Sequence, residues 1–141
     1  MPVMVRFDTG TGPWAVGVEH AVEVRPVSAV RMLPSALPDV AGVIDRDGTA
    51  VPVVRTLMGG GPFPDASGPD GRHVLLVRAG AFTVGMIVDQ VTGVVRVSAD
   101  DIGPAPAGQH DPLIGATVHD GAELTFLVDV DELARSLGGQ P

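Results

Sequence analysis

The chain has 141 residues, 45% of them hydrophobic and 18% charged, a size and balance that suit one domain with a single sizeable core and exclude disorder along the whole length. Seventeen acids face nine bases, all of them Arg, for a net charge of −8; with four Phe, one Trp and no Tyr, the chain lacks both the clustered positive face and the stacking surface that nucleic acid requires. The absence of Cys removes disulfides, thiol nucleophiles, Cys-ligated zinc and iron–sulfur clusters.

The opening Met1-Pro2-Val3-Met4-Val5-Arg6-Phe7-Asp8 lacks the basic segment and long apolar run of a secretory leader, which predicts a cytoplasmic protein. Twenty-four Val together with nineteen Gly and thirteen Pro favour strands and turns over helices, so a mainly β fold is expected. In chain order, strands are predicted over residues 3–8, 14–18, 22–27, 40–44, 49–54, 74–78, 82–88, 94–97, 114–118 and 124–128. The pairs Asp47-Gly48, Ala79-Gly80 and Asp120-Gly121 stand between apolar runs and predict three hairpins, because Gly supplies the positive φ that tight turns need. The longest apolar stretch, 82–88, is interrupted by Thr83 and Gly85 and falls far short of the ~18 residues of a spanning helix, so no direct membrane insertion is expected.

Residues 58–72, rich in Gly and Pro and without periodicity, predict a mobile loop; without Lys it cannot be a Walker phosphate loop. A second breaker-rich stretch, 103–112, contains Pro104, Pro106 and Pro112 and reads as an ordered crossover or a linker. One short helix is predicted at the C-terminus, where Asp129 or Asp131 caps a segment with Val130, Leu133, Ala134 and Leu137 at helical spacing, closed by Gly138-Gly139. It is expected to lie across an open barrel end.

Two blocks recur in the same order about seventy residues apart. Trp14-Ala15-Val16-Gly17-Val18 aligns with Phe82-Thr83-Val84-Gly85-Met86, and the Gly-to-Asp-Gly spacing of Gly42 to Gly48 repeats in Gly115 to Gly121. The repetition points to two related β subdomains.

The run from Leu37 to Val54 places Pro38, then Gly42-Val43-Ile44, then Asp47-Gly48, then Val51-Pro52-Val53 in succession. It is followed by Val84-Gly85-Met86-Ile87-Val88-Asp89-Gln90-Val91 with Ile102-Gly103-Pro104-Ala105-Pro106, by Leu113-Ile114-Gly115-Ala116, and by Leu127-Val128-Asp129-Val130-Asp131-Glu132-Leu133. These four blocks, in this order, resemble the CheW-like adaptor domains of bacterial chemotaxis signalling. The resemblance implies a single domain over residues 1–141 made of two small, intertwined five-stranded β-barrels around a continuous core. It also implies a non-enzymatic adaptor that needs no cofactor and joins a chemoreceptor's cytoplasmic helical tip to the regulatory domain of a CheA-type histidine kinase. Carried over by position, receptor contact would involve the groove between subdomains and its flanks, with Glu23, Gly42, Asp47, Val74, Gly85, Val91 and Gly115, while the kinase would meet an exposed apolar barrel edge.

One departure stands out. Where the family has Asn-x-Arg-Gly, this chain has Asp45-Arg46-Asp47-Gly48, so the Arg associated with receptor coupling is replaced by a carboxylate. Arg46 is adjacent, but a shift of one residue on a strand turns a side chain to the opposite face. The departure opens an alternative in which the fold is kept but the protein regulates the kinase or another array component without receptor coupling.

Each position also has a structural reading: Gly42 and Gly85 as bulges or barrel corners, Val74 and Val91 as core, Asp47 as a turn residue and Glu23 as a solvated acid. His20, His73, His110 and His119 lack the short spacing of a metal site. The acids around Asp45 and Asp129 sit at a hairpin and a helix start, where they have structural reasons to be. With no nucleophile elbow or dinucleotide motif, an enzyme is not expected, and a ligand-binding β-barrel would need a deep pocket of which the sequence gives no sign.

Overall fold

A computed structural model describes residues 2–10, 12–33, 40–54, 72–109, 111–121 and 123–136. Runs of Val, Ile and Leu alternate with small or polar residues and form twelve strands: β1 (Val3–Thr9), β2 (Gly12–Gly17), β3 (Ala21–Pro26), β4 (Arg31–Met32), β5 (Val40–Arg46), β6 (Thr49–Val54), β7 (His73–Ala79), β8 (Phe82–Val88), β9 (Gln90–Arg96), β10 (Ile102–Pro104), β11 (Ile114–Asp120) and β12 (Glu123–Val128). The helix α1 (Val130–Ser136) follows. Residues 55–71 lie outside the described residues and take with them nearly all of the loop expected at 58–72; Leu137 and Gly138-Gly139 of the predicted helix end do so too.

The strands form two six-stranded sheets. Sheet I runs β10-β11-β12-β2-β1-β9 and sheet II runs β3-β7-β8-β6-β5-β4. The same plan therefore occurs twice, β1 to β6 and β7 to β12, with the first hairpin exchanged: β1–β2 completes the sheet of the second half and β7–β8 that of the first. Each exchanged hairpin docks through a parallel pair, Phe126↔Trp14 and Leu127↔Ala15 in sheet I, Val53↔Gly85 and Val54↔Met86 in sheet II. All other pairings are antiparallel. The repeat read from Trp14 and Phe82 is thus a repeat of exchanged hairpins.

Six strands per sheet exceed the five expected because β4 and β10 span only two and three residues, too few to show alternation. β10 occupies the head of the stretch that reads as a crossover. β9 begins at Gln90, four residues before the predicted start at 94, because Thr92 bulges between the pairs Arg6↔Gly93 and Phe7↔Val91 and breaks the alternation. The hairpins at Asp47-Gly48, Ala79-Gly80 and Asp120-Gly121 form as predicted, and β1–β2 adds a fourth.

Both faces of the exchanged hairpins are buried, which explains runs such as Val74-Leu75-Leu76-Val77 with no polar alternation. Alternate residues serve different cores. Leu75, Val77, Val84, Met86 and Val88 meet Val5, Phe7, Trp14 and Val16 in a central cluster between the sheets. Val74, Leu76 and Ile87 instead turn into sheet II, with Ile44, Val51 and Val53. Met4 and Ala15 turn into sheet I, with Val97 and Val118. Trp14 packs edge-on against Phe126 with ring centroids 5.4 Å apart.

Asp129 is the helix cap: its Oδ1 accepts the Glu132 amide at 3.0 Å, satisfying an otherwise unpaired N–H. Leu133 is fully buried with Val130 in the central cluster. The helix is therefore pinned to the shared core and packs on β7, where the sequence reading put it across a barrel end; its apolar stripe finds more surface to bury between the sheets.

Candidate functional site

The parallel pairing of β6 with β8 determines where the site forms. Because the two strands run the same way from their turns, the β5–β6 and β7–β8 hairpin tips lie side by side, and Ala134 of α1 closes the space between them. The result is a groove of about 540 Å³ lined by Arg46, Asp47, Thr49, Ala50, Val51, Pro52, Ala81, Phe82, Thr83, Val84 and Ala134. Its lining is mainly apolar. Phe82 is 54% exposed, an unusual position for a large aromatic in a chain with five.

Asp47 and Gly48 take φ of 53° and 85°, the pair of positive angles that a two-residue hairpin turn demands. Asp45 Oδ1 accepts the Gly48 amide at 3.0 Å and locks this turn. Behind the tip, Glu23 on β3 receives Arg46 Nε at 2.8 Å and Arg25 Nε at 2.9 Å. β3 and β5 are separated in sheet II by β7, β8 and β6, so the Glu23–Arg46 pair joins strands that only the curl of the sheet brings together. Hydrogen bonds from Arg25 and then Arg46 hold the Glu23 carboxyl below its usual value. The same contact raises Arg25, with the charges of Asp47 and Asp45 adding to it. The curl of the sheet turns Arg46 onto Glu23, a contact the sequence reading did not anticipate.

The seven positions singled out by resemblance fall in four places. Glu23 and Asp47 flank the charged hairpin end just described. Gly42, Val74 and Gly85 belong to the interior of sheet II: a Cβ on Gly85 would come within 2.7 Å of Val74 Cγ1, and one on Gly42 within 2.1 Å of the Arg31 carbonyl oxygen. Val74 is fully buried, so these three shape the sheet under the groove without lining it. Val91, on β9, packs partly buried against the central core. Gly115 is the bulged residue of β11, exposed, with Asp129 against it. The lining residues Ala81, Phe82, Thr83, Thr49, Pro52 and Ala134 escaped the sequence reading. The available signal was Phe82, a large apolar residue two places after a turn glycine.

The histidines are dispersed. His20 Nδ1 lies 3.2 Å from the Arg78 carbonyl oxygen, and among the described residues no three His, Asp or Glu come together as metal ligands. No helix among the described residues is long and apolar enough to cross a membrane.

Comparison with known proteins accounts for this arrangement. The CheW-like domain family matches residues 3–138. A relative described as chemotaxis protein CheW, from Rhizobium meliloti (strain 1021), is 31% identical over 104 residues, which cover 73% of this chain and 66% of that protein, just under two thirds of its length. The crystal structure of the scaffolding protein TtCheW from Thermoanaerobacter tengcongensis superposes with a TM-score of 0.83 at 19% identity, over 99% of this chain and 97% of that one, a likeness of fold. With a match that takes in nearly the whole chain, two sheets built on one duplicated plan and a fold shared with a scaffolding protein, the chain belongs to the CheW-like domain family.

Proposed function

We propose that the chain is a non-enzymatic cytoplasmic adaptor that joins a chemoreceptor's cytoplasmic tip to the regulatory domain of a CheA-type histidine kinase, with the receptor tip seated in the groove beside Asp47. The groove itself carries the reading. It is an open trough with an apolar floor, an exposed Phe82 on its rim and a charged hairpin tip at one side, features that suit burial of a partner's apolar ridge. Among the described residues its lining contains no His, Cys, Ser or Lys to act as nucleophile or base. The likeness to a chemotaxis relative and to a scaffolding protein supports the same reading.

An adaptor couples two partners only if both are held at once. The groove takes the hairpin end of sheet II and leaves β9, the last strand of sheet I, for the kinase; Val94 on that strand is 63% exposed and supplies an apolar edge. Calorimetric titration with the kinase regulatory domain, then with a receptor-tip fragment, tests this. Binding of both without mutual exclusion is expected, with Phe82→Ser weakening the tip alone and Val94→Asp the kinase alone. Binding of the kinase but never the tip would move the protein to the regulator reading, and binding of neither would withdraw the adaptor role.

A further inference from the structure

We infer that the groove selects a helical tip that presents a cationic side chain, Arg or Lys, opposite Asp47. The inference rests on the groove being the receptor-tip site and adds which chemistry that tip must carry. Arg46 and Arg25 are both engaged, Arg46 Nε at 2.8 Å and Arg25 Nε at 2.9 Å from the carboxylate of Glu23, while Arg78 stands exposed on β7 at the neighbouring hairpin tip and does not line the groove. Asp45 is occupied within the turn by the Gly48 amide at 3.0 Å. Asp47 is left exposed on the rim, its carboxylate with no hydrogen bond or ion pair to any described residue.

Among the described lining residues Asp47 is the one acid and Arg46 the one base, and Arg46 already pairs with Glu23. The other described lining residues are neutral. An incoming carboxylate would be repelled by Asp47 and would have to share Arg46 with Glu23. An incoming guanidinium or ammonium would find a free acceptor at the edge of an apolar floor, where exclusion of water strengthens the pair. The net charge of −8 also draws a basic partner toward the chain before contact.

Position matters as much as sign. The φ of 53° at Asp47 is one that Asn and Asp tolerate far better than other side chains, so Asp47→Asn removes the charge and keeps the turn. The full chain and its Asp47→Asn and Asp47→Arg variants would be titrated calorimetrically with a receptor-tip fragment and with the same fragment after its exposed Arg and Lys are replaced by Gln. Asp47→Asn is expected to weaken the unaltered fragment on the order of tenfold and the Gln fragment hardly at all, the difference shrinking as salt is raised. Asp47→Arg is expected to weaken the unaltered fragment further. If Asp47→Asn binds the unaltered fragment as tightly as the parent chain, or Asp47→Arg binds it more tightly, the cationic partner is refuted while the groove remains the receptor site. If the parent chain binds neither fragment, the receptor reading itself fails and the inference falls with it.

Discussion

Sheets I and II share one strand plan yet differ in what fills and closes them. Among the described residues, the hydrophobic cluster inside sheet II holds nine buried side chains, with Ile44, Val51, Val53, Leu76 and Ile87 among them, whereas that inside sheet I holds Met4, Ala15, Val97 and Val118. Sheet II is also tied across its curl by Glu23 and Arg46. In sheet I, Arg6 on β1 pairs with Glu123 on β12 across β2, and on β9 the Thr92 hydroxyl donates to the Arg6 carbonyl oxygen on its immediate neighbour at 3.1 Å. Duplication therefore preserves the backbone plan and leaves interiors and hairpin charges free to diverge. The groove sits on the sheet whose described interior is better filled, which suits a recognition surface whose shape is held before the partner arrives.

The sharpest way to break this comparison is to hollow each interior in turn. Leu76→Ala, in the crowded interior of sheet II, is expected to cost about 4 kcal/mol, toward the top of the range for such truncations. Met4→Ala, in the sparse interior of sheet I, is expected to cost about 2 kcal/mol, because a small cluster beside an existing void collapses more readily. Denaturant unfolding of the two variants checks the order; equal losses would mean that the interiors are energetically alike and that the central cluster dominates both.

Adding volume sharpens the same contrast by a smaller amount. Gly42 and Gly115 lie on the equivalent strands β5 and β11, Gly42 paired with Val53 and Gly115 in a bulge, but a Cβ on Gly42 meets the Arg31 carbonyl oxygen at 2.1 Å, a backbone atom that cannot swing away, while one on Gly115 meets the Asp129 Cβ at 3.1 Å. Gly42→Ala is expected to destabilise by about 3 kcal/mol and Gly115→Ala by about 1 kcal/mol. Thermal melting of both decides the point, and a Gly115 effect as large as that of Gly42 would place the tight packing in the wrong half.

What the sequence made legible follows from the same physics. Strand positions and hairpin turns showed because alternation and Asp-Gly pairs are local signals, and the duplication showed because the Trp14 and Phe82 blocks lie on the second strands of the two exchanged hairpins. The exchange itself was hidden, since nothing local in β1–β2 tells which half it completes; that is set by the parallel pairs Val53↔Gly85 and Phe126↔Trp14, contacts distant in sequence. The groove was hidden for the same reason. Asp47 could be found from the Asp-Arg-Asp-Gly departure, but Ala81, Phe82 and Ala134 join it only once β6 and β8 run side by side. The Arg46–Glu23 contact was hidden too, because it joins β5 and β3, strands that only the curl of the sheet brings together.

The smallest expected effect concerns the brace. Glu23 is held below its usual value near 4.5 by Arg25 and Arg46, so its pairing contributes stability at pH values above that figure and loses it as pH falls through the lowered value in the folded chain. The window therefore lies below about pH 4.5, on the acid limb of the stability curve. Glu23→Gln removes the titrating group and leaves two guanidiniums facing a neutral amide, so stability at neutral pH falls modestly, screened by the solvent around a partly exposed carboxylate, and the acid limb becomes shallower. Thr92→Val, on the last strand of sheet I, removes one hydroxyl bond and no charge, and its effect is expected to be independent of pH. Unfolding curves of the two variants from neutral pH down to the acid limb separate them: a parallel offset for Thr92→Val and a converging one for Glu23→Gln identify the Glu23 pairing as a charge-dependent brace of sheet II, whereas two parallel offsets would reduce Glu23 to an ordinary polar contact.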